Sequence, residues 1–194
     1  MNKASIRKDF LKKRAELNKA EFERLNTLIF EQFKQLDLSG VKVLHAFLPI
    51  SGKHEIDTWP IINWLWKQHP NITTVAPKAD FKAAQMQHHT LTSETVLVTN
   101  AYGISEPENS PEVVSSAIDM VLVPLLAFDL RGYRVGYGKG FYDHFLSGCR
   151  KDVITIGLSQ FSPIETIEDI DVWDHPLMHV IAPENVYSFG FTRD

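Results

Sequence analysis

With a single cysteine, Cys149, the chain cannot form an internal disulfide or a zinc site built from thiolates. Long apolar runs are missing as well: the longest, residues 121–128, falls far short of the roughly 20 residues that cross a bilayer as a helix. Met1 is followed by Asn2, Lys3 and a charged amphipathic stretch instead of an apolar leader, so a cytoplasmic protein without membrane contact is expected. No repeat, low-complexity tract or Gly/Ser/Pro-rich linker marks a boundary, and residues 1–194 are expected to form one domain. Hydrophobic residues at 44% and charged residues at 23% exclude disorder and coiled coil, leaving a compact enzyme or binding domain. The formal net charge of -4 speaks against a general nucleic-acid binder.

What charge there is lies unevenly. Residues 1–24 carry eight Lys or Arg against four acids, whereas residues 152–192 carry seven acids and no Lys or Arg. The first region suits an anionic ligand and the second a cation, while a solvated helix face and an acidic loop account for both on composition alone. Within residues 2–16, Ile6, Phe10, Leu11 and Ala15 fall on one helical stripe, with Lys3, Arg7 and Arg14 on neighbouring faces. Asn18 with Glu21 three residues on has the form of a capping box, and Phe22, Leu25, Ile29 and Phe33 follow at helical spacing. Region 1–38 is therefore read as helical and packed on the remainder.

After Gly40 the pattern changes. Residues 41–48 are β-rich and end at Pro49, and short apolar runs recur at 72–76, 96–99, 120–127 and 153–158, with helices expected at 58–68 and 139–146. Runs that are apolar at successive positions suit strands buried on both faces, so an α/β chain in three α/β/α layers with a mostly parallel central sheet is expected. Residues 81–99 are less regular and compatible with a hairpin.

The run from Pro124 through Ala127-Phe128-Asp129 and Arg134-Val135-Gly136-Tyr137-Gly138-Lys139-Gly140-Phe141-Tyr142-Asp143 reads as a buried strand, a glycine-rich turn and a helix start. In that arrangement backbone N–H groups and the positive end of a helix dipole converge on an anion. Glycines let the backbone wrap closely round phosphate oxygens. Arg134 and Lys139 add positive charge where phosphate would sit, and Asp143, one turn later, can hold a divalent cation bridging phosphates. The spacing is not a Walker A loop, because Tyr133 stands six residues before Lys139 and Gly140 follows it. Nor is it the dinucleotide fingerprint, which needs two residues between its last two glycines. The alternative to an anion cradle is a structural loop with ordinary glycine turns, but three alternating glycines with Lys, Arg and Asp exceed what a turn requires.

On these residues the segment resembles the signature of the 5-formyltetrahydrofolate cyclo-ligase family. There a strand ending in Gly/Ala-Phe-Asp leads through Gly-x-Arg-hydrophobic-Gly to a Gly-x-Gly-Tyr/Phe-Tyr-Asp turn. Lys3-x-x-x-Arg7 resembles the family's nucleotide-contacting helix, Gly103-Ile104-x-Glu106-Pro107 its central element, and Asp174 its late aspartate. Two positions depart from one common version of the loop: Tyr137 stands where Arg is often found, and Phe141 where Tyr is usual.

The resemblance implies a fold similar to that of sugar-phosphate isomerases and CoA-transferases. It implies an enzyme using ATP and Mg²⁺ to convert 5-formyltetrahydrofolate into 5,10-methenyltetrahydrofolate, with release of ADP and phosphate. A formamide oxygen is a poor leaving group, so phosphorylating it first lets N10 close the ring, and positioning with charge neutralisation carries such a transfer. By resemblance the catalytic set is Lys139, Arg134 and Tyr142. ATP would meet Lys3, Arg7, Arg134, Val135, Gly136, Tyr137, Gly138, Lys139, Gly140, Phe141 and Tyr142. The folate would meet Ile50, Glu55 and the same loop from Tyr137 to Phe141, with Glu55 bonding the pteridine, and Mg²⁺ would be shared by Asp143 and Asp174. A monomer is expected, with a weak dimer as the alternative.

Other residues are read as structural. Pro176 disrupts helix geometry between His175 and His179, His88-His89 is placed on an exposed strand or loop, and Trp59, Trp64 and Trp66 suit core packing better than folate stacking. Cys149 lacks an indicated His partner and reads as an inert thiol. Two rival functions are an isomerase-like or group-transfer enzyme needing no ATP, and a folate- or nucleotide-binding module without turnover.

Overall fold

The computed structural model describes residues 1–50, 52–81, 83 and 85–190. Its N-terminal region forms α1 (Lys3–Ala15) and α2 (Lys19–Phe33), each capped by an asparagine: the Asn2 and Asn18 side chains accept from the N–H groups of Ser5 and Glu21, both at 2.9 Å. Only half of the expected capping box forms, since the Glu21 carboxylate is taken by the Arg24 guanidinium.

The chain continues through β1 (Val43–His45), α3 (Trp59–Gln68), β2 (Thr73–Asp80), β3 (Gln85–Thr90), β4 (Leu97–Thr99), β5 (Ser105–Pro107), β6 (Met120–Pro124), β7 (Ala127–Phe128), β8 (Arg134–Val135), α4 (Phe141–Ser147), β9 (Ile154–Leu158), β10 (His179–Ile181) and β11 (Val186–Ser188). Seven strands form one sheet in the order β11-β10-β9-β6-β1-β2-β3. The pairings from β10 to β2 are parallel, and the edge strands β3 and β11 are antiparallel. Alternate residues of β6 divide the core. Met120 and Leu122 pack with Ile29, Phe33, Ile61, Ile62 and Leu65 of α2 and α3, and Val121 and Val123 with Phe145 and Leu146 of α4 on the other face. The sheet thus lies between helical layers, as the successive apolar positions predicted. Trp59, Trp64 and Trp66 pack against the α2/α3 side of that core.

Helix α1 belongs to neither layer. Its Ile6 and Phe10 join Leu126, Ala127, Val135 and Ile167 in a third cluster over the β7–β8 ribbon. Arg14, expected on a charged face, continues that stripe and is buried, while Leu11 and Ala15 are exposed. Three further expectations are corrected. The run at 96–99 is no central strand: β4 pairs only with β5 in a separate ribbon, with Val96 and Val98 exposed, because Asn100 turns the chain back by accepting from the N–H groups of Tyr102 and Ile104. Among the described residues of 81–99 no hairpin closes within the stretch, since β3 pairs back onto β2 and β4 pairs onward with β5. Helix α4 starts at Phe141 instead of 139, because Gly138 and Gly140 sit at φ +86° and +70°, outside helical space.

From β1 the chain passes to β2 on one side and later to β6 on the other. In open α/β sheets this reversal leaves a crevice beyond the carboxyl ends of the strands.

Candidate active site

A cavity of about 660 Å³ fills that crevice. Its floor is built at and beyond the carboxyl ends of the parallel strands: Phe47, Leu48 and Ile50 after β1, Pro77 and Ala79 on β2, and Pro124 at the end of β6. One wall is the loop from Arg134 to Asp143, and α1 closes the side with Lys3, Arg7 and Leu11. Every residue assigned a role from the sequence lines this one space: Lys3, Arg7, Ile50, Glu55, the run from Arg134 to Tyr142, Asp143 and Asp174.

The glycine loop is held by the ribbon before it. Asp129, fully buried, accepts from the N–H groups of Arg131 at 2.9 Å, Tyr133 at 3.1 Å and Ile167 at 3.0 Å, which shapes the β7–β8 turn. Arg7 crosses from α1 and donates from Nε to the Gly136 carbonyl at 2.9 Å, with its guanidinium against Gly138. Gly136, by contrast, has an ordinary φ and open space where a Cβ would stand.

The charges are arranged in pairs. Arg134 is buried and donates to the His175 carbonyl at 2.6 Å and to Asp143 Oδ1 at 2.7 Å. Lys3 pairs with Asp174. Among the described residues no acid pairs with Lys139, which is exposed on the loop and free to meet an anion. Both candidate metal ligands are therefore held by cations, Asp143 by Arg134 of its own loop and Asp174 by Lys3 of α1. Among the described residues no group of three His, Cys, Asp or Glu gathers to bind a metal, so a cation here would complete its shell from water and ligand oxygens, as Mg²⁺ commonly does.

Glu55 is buried at 6% exposure with both oxygens engaged: Oε1 accepts from the Tyr137 hydroxyl at 2.5 Å and Oε2 from the Ile50 N–H at 2.6 Å. Burial, followed by the nearby Glu55 charge, raises the Tyr137 pKa, so the phenol stays protonated at neutral pH. The Tyr142 hydroxyl is enclosed with no partner among the described residues; burial and then Glu55 raise its pKa, against the Arg134 charge.

Sequence reasoning did not find the aromatic rim. Phe81 and Tyr102 stack with ring centroids 4.0 Å apart, and Phe141 meets Phe81 edge-on at 5.2 Å. Tyr102 directly precedes the Gly103-Ile104-x-Glu106-Pro107 element, which gave a signal by position. Phe81 gave none. Glu106, buried, accepts from the Ala79 N–H at 2.8 Å and ties that element to β2. His88 is also corrected: it lies buried on β3, its ring 4.0 Å from Phe145 and 5.1 Å from His45.

A crevice at the carboxyl edge of a parallel sheet, walled by a glycine loop with an open lysine and floored by apolar side chains, defines an α/β enzyme built around an anionic, partly aromatic ligand. The chain belongs to the 5-formyltetrahydrofolate cyclo-ligase family, whose model matches residues 1–183. It is 30% identical over 147 residues to the 5-formyltetrahydrofolate cyclo-ligase of Escherichia coli (strain K12), covering 74% of this chain and 79% of that one. To the enzyme of the same name from Mycoplasma genitalium it is 29% identical over 184 residues, covering 94% and 98%. Among solved structures, the 5,10-methenyltetrahydrofolate synthetase of Aquifex aeolicus superposes with a TM-score of 0.83 at 30% identity, covering 100% of this chain and 96% of that one. These matches agree on a 5-formyltetrahydrofolate cyclo-ligase, an enzyme of folate one-carbon metabolism.

Proposed function

We propose that the chain carries out an ATP- and Mg²⁺-dependent cyclisation. The γ-phosphoryl group passes to the formyl oxygen of 5-formyltetrahydrofolate with release of ADP. N10 then bonds to the formyl carbon, the C–O bond breaks, phosphate departs with that oxygen, and N10 gives up its proton, leaving 5,10-methenyltetrahydrofolate. The observation that carries this reading is the convergence of four distant segments, around residues 3–7, 50–55, 134–143 and 174, on one cavity of about 660 Å³.

In this reading Lys139 meets the transferring phosphoryl group and offsets its charge, with Arg134 behind it. Lys3, Arg7 and the run Val135, Gly136, Tyr137, Gly138, Lys139, Gly140, Phe141 and Tyr142 form the ATP side. Ile50 and Glu55, with the loop from Tyr137 to Phe141, form the folate side, where the Glu55 carboxylate accepts from pteridine N–H groups. Tyr142 completes the catalytic set as a residue of the cavity wall beside the reacting centre. Asp143 and Asp174 would hold Mg²⁺, which supplies neutralisation of phosphate charge when bound. Exchange of the Lys3–Asp174 and Arg134–Asp143 pairs for phosphate and metal contacts leaves no charge uncompensated.

We read residues 1–194 as one domain acting as a monomer, because one chain supplies all of these groups; sedimentation of the purified protein tests this. A cytoplasmic location and a fold of the sugar-phosphate isomerase/CoA-transferase kind belong to the same reading. No helix among the described residues is long and apolar enough to cross a membrane. The deciding assay follows the methenyltetrahydrofolate absorbance band from 5-formyltetrahydrofolate, with and without ATP and Mg²⁺. Growth of the band only with both is expected; a flat trace from folded protein overturns the proposal.

A further inference from the structure

We infer that Arg14 is a positioning residue for the folate: through the Tyr137 hydroxyl it orients the Glu55 carboxylate that faces the cavity. The inference rests on the reading of Glu55 as a folate contact.

Arg14 is only 4% exposed, although it lies in the most basic part of the chain. Its guanidinium donates from Nη1 to the Tyr137 hydroxyl at 2.7 Å and from Nη2 to the Leu125 carbonyl at 2.6 Å. A phenol that accepts from a guanidinium has its own proton turned away, and here it turns to Glu55 Oε1 at 2.5 Å. The polarity of the chain is thereby fixed: Arg14 donates to Tyr137, and Tyr137 donates to Glu55. Arg14 and Glu55 at the two ends are buried, and each bond polarises the next.

This arrangement answers a cost. A carboxylate buried at 6% exposure needs compensation, yet no Lys, Arg or His among the described residues forms an ion pair with Glu55. The compensating charge sits one hydroxyl away. With Tyr137 on one oxygen and the Ile50 N–H on the other, the carboxylate plane is set and each oxygen keeps a lone pair. Two parallel acceptors held this way suit a pair of adjacent N–H donors on a flat heterocycle.

A second contact between the same two segments is independent of the guanidinium. The Arg14 carbonyl oxygen lies 3.1 Å from His54 Nδ1, and His54 sits at φ +48°, a left-handed value uncommon for a residue with a side chain. Its carbonyl in turn accepts from Gln160 Nε2 at 2.9 Å. The last turn of α1 thus fixes both the backbone before Glu55 and the carboxylate itself.

The test measures KM for 5-formyltetrahydrofolate and for ATP separately, with thermal midpoints, in Arg14→Gln, Arg14→Lys, Tyr137→Phe, Glu55→Gln and the double variant Arg14→Gln/Tyr137→Phe. Tyr137→Phe removes the relay hydroxyl while keeping the ring on the cavity wall and the bond from Arg14 to Leu125, so it remains informative if the Arg14 variants fold poorly. Arg14→Gln and Tyr137→Phe are each expected to raise the folate KM about tenfold with little change in the ATP KM. The double variant should be no worse than the worse single, and Arg14→Lys should fall between wild type and Arg14→Gln. An unchanged folate KM in Tyr137→Phe, with a raised one in Glu55→Gln, overturns the relay and leaves Glu55 as a folate contact. An unchanged folate KM in Glu55→Gln overturns that reading and the relay with it. Equal rises in both KM values, or a loss confined to the thermal midpoint, make Arg14 a structural residue only.

Discussion

The Arg7 guanidinium lies flat against Gly138, so that a Cβ at that glycine would stand 3.0 Å from Arg7 Cζ and 3.1 Å from Nη2. The glycine is there for the approach of a side chain 131 residues earlier, as well as for its φ of +86°. Gly138→Ala would push Arg7 off the loop and strain the backbone by roughly 1–2 kcal/mol. A raised KM for ATP with a lowered thermal midpoint is expected. An unchanged ATP KM in Gly138→Ala would show that Arg7 does not serve the nucleotide from this position.

Lys139 and Asp143 look equivalent from the sequence, where alanine at either is expected to stop turnover and spare the fold. The structure separates them. Lys139 is exposed with no acid paired to it among the described residues, so Lys139→Ala should cut kcat by about 10²–10³ with an unchanged thermal midpoint. Asp143→Ala leaves the buried Arg134 without its carboxylate and should lose activity together with roughly 1–3 kcal/mol of stability. Urea unfolding of the two variants side by side checks the difference.

Asp174 is held by Lys3 and also accepts from the Asp171 N–H at 2.6 Å, so it is ordered before any ligand arrives. If it shares the metal with Asp143, Asp174→Asn should raise the Mg²⁺ concentration needed for half-maximal rate, and chelation of Mg²⁺ should abolish turnover reversibly in wild type. A Mg²⁺ titration curve that does not move in Asp174→Asn removes this residue from the metal site.

His88 supplies a pH dependence of stability. Burial, with His89 beside it, lowers its pKa from 6.5 to about 4, and burial followed by the His88 charge lowers that of His45 as well. In the unfolded chain both take up protons near 6.5, so below that value the unfolded state binds more protons than the native one. Stability is therefore full above about pH 6.5 and falls as the pH drops toward 4, by up to about 3 kcal/mol for His88 alone. Thermal midpoints should fall between pH 7 and pH 5, and His88→Phe, which keeps a ring against Phe145, should shallow that fall. An equal slope in wild type and variant would assign the acid sensitivity elsewhere.

Much of the fold was legible because local chemistry decides it. Asn18 caps its helix whichever neighbours it has, and the run Met120-Val121-Leu122-Val123 is apolar at successive positions because a parallel strand is covered on both sides. Expectations failed where a turn or a partner outside the run decides its place. Leu97–Thr99 looks like a core strand until Asn100 folds it onto Ser105–Pro107, and His88 looks exposed until His45 and Phe145 cover it.

The sequence by itself determined the α/β class and the glycine loop with its lysine, since backbone freedom and formal charge are properties of the residues present. The family could be read from the same loop together with three shorter motifs. Only the tertiary structure decided what each charge does. Arg134 turns inward to Asp143, Lys3 meets Asp174, and Arg14 leaves the solvent to reach Tyr137, while Lys139 stays open. The physical reason is that pairing energy depends on distance and burial, and both are set by how the segments meet beyond the same sheet edge, α1 reaching residues more than a hundred positions away in two of the three pairs.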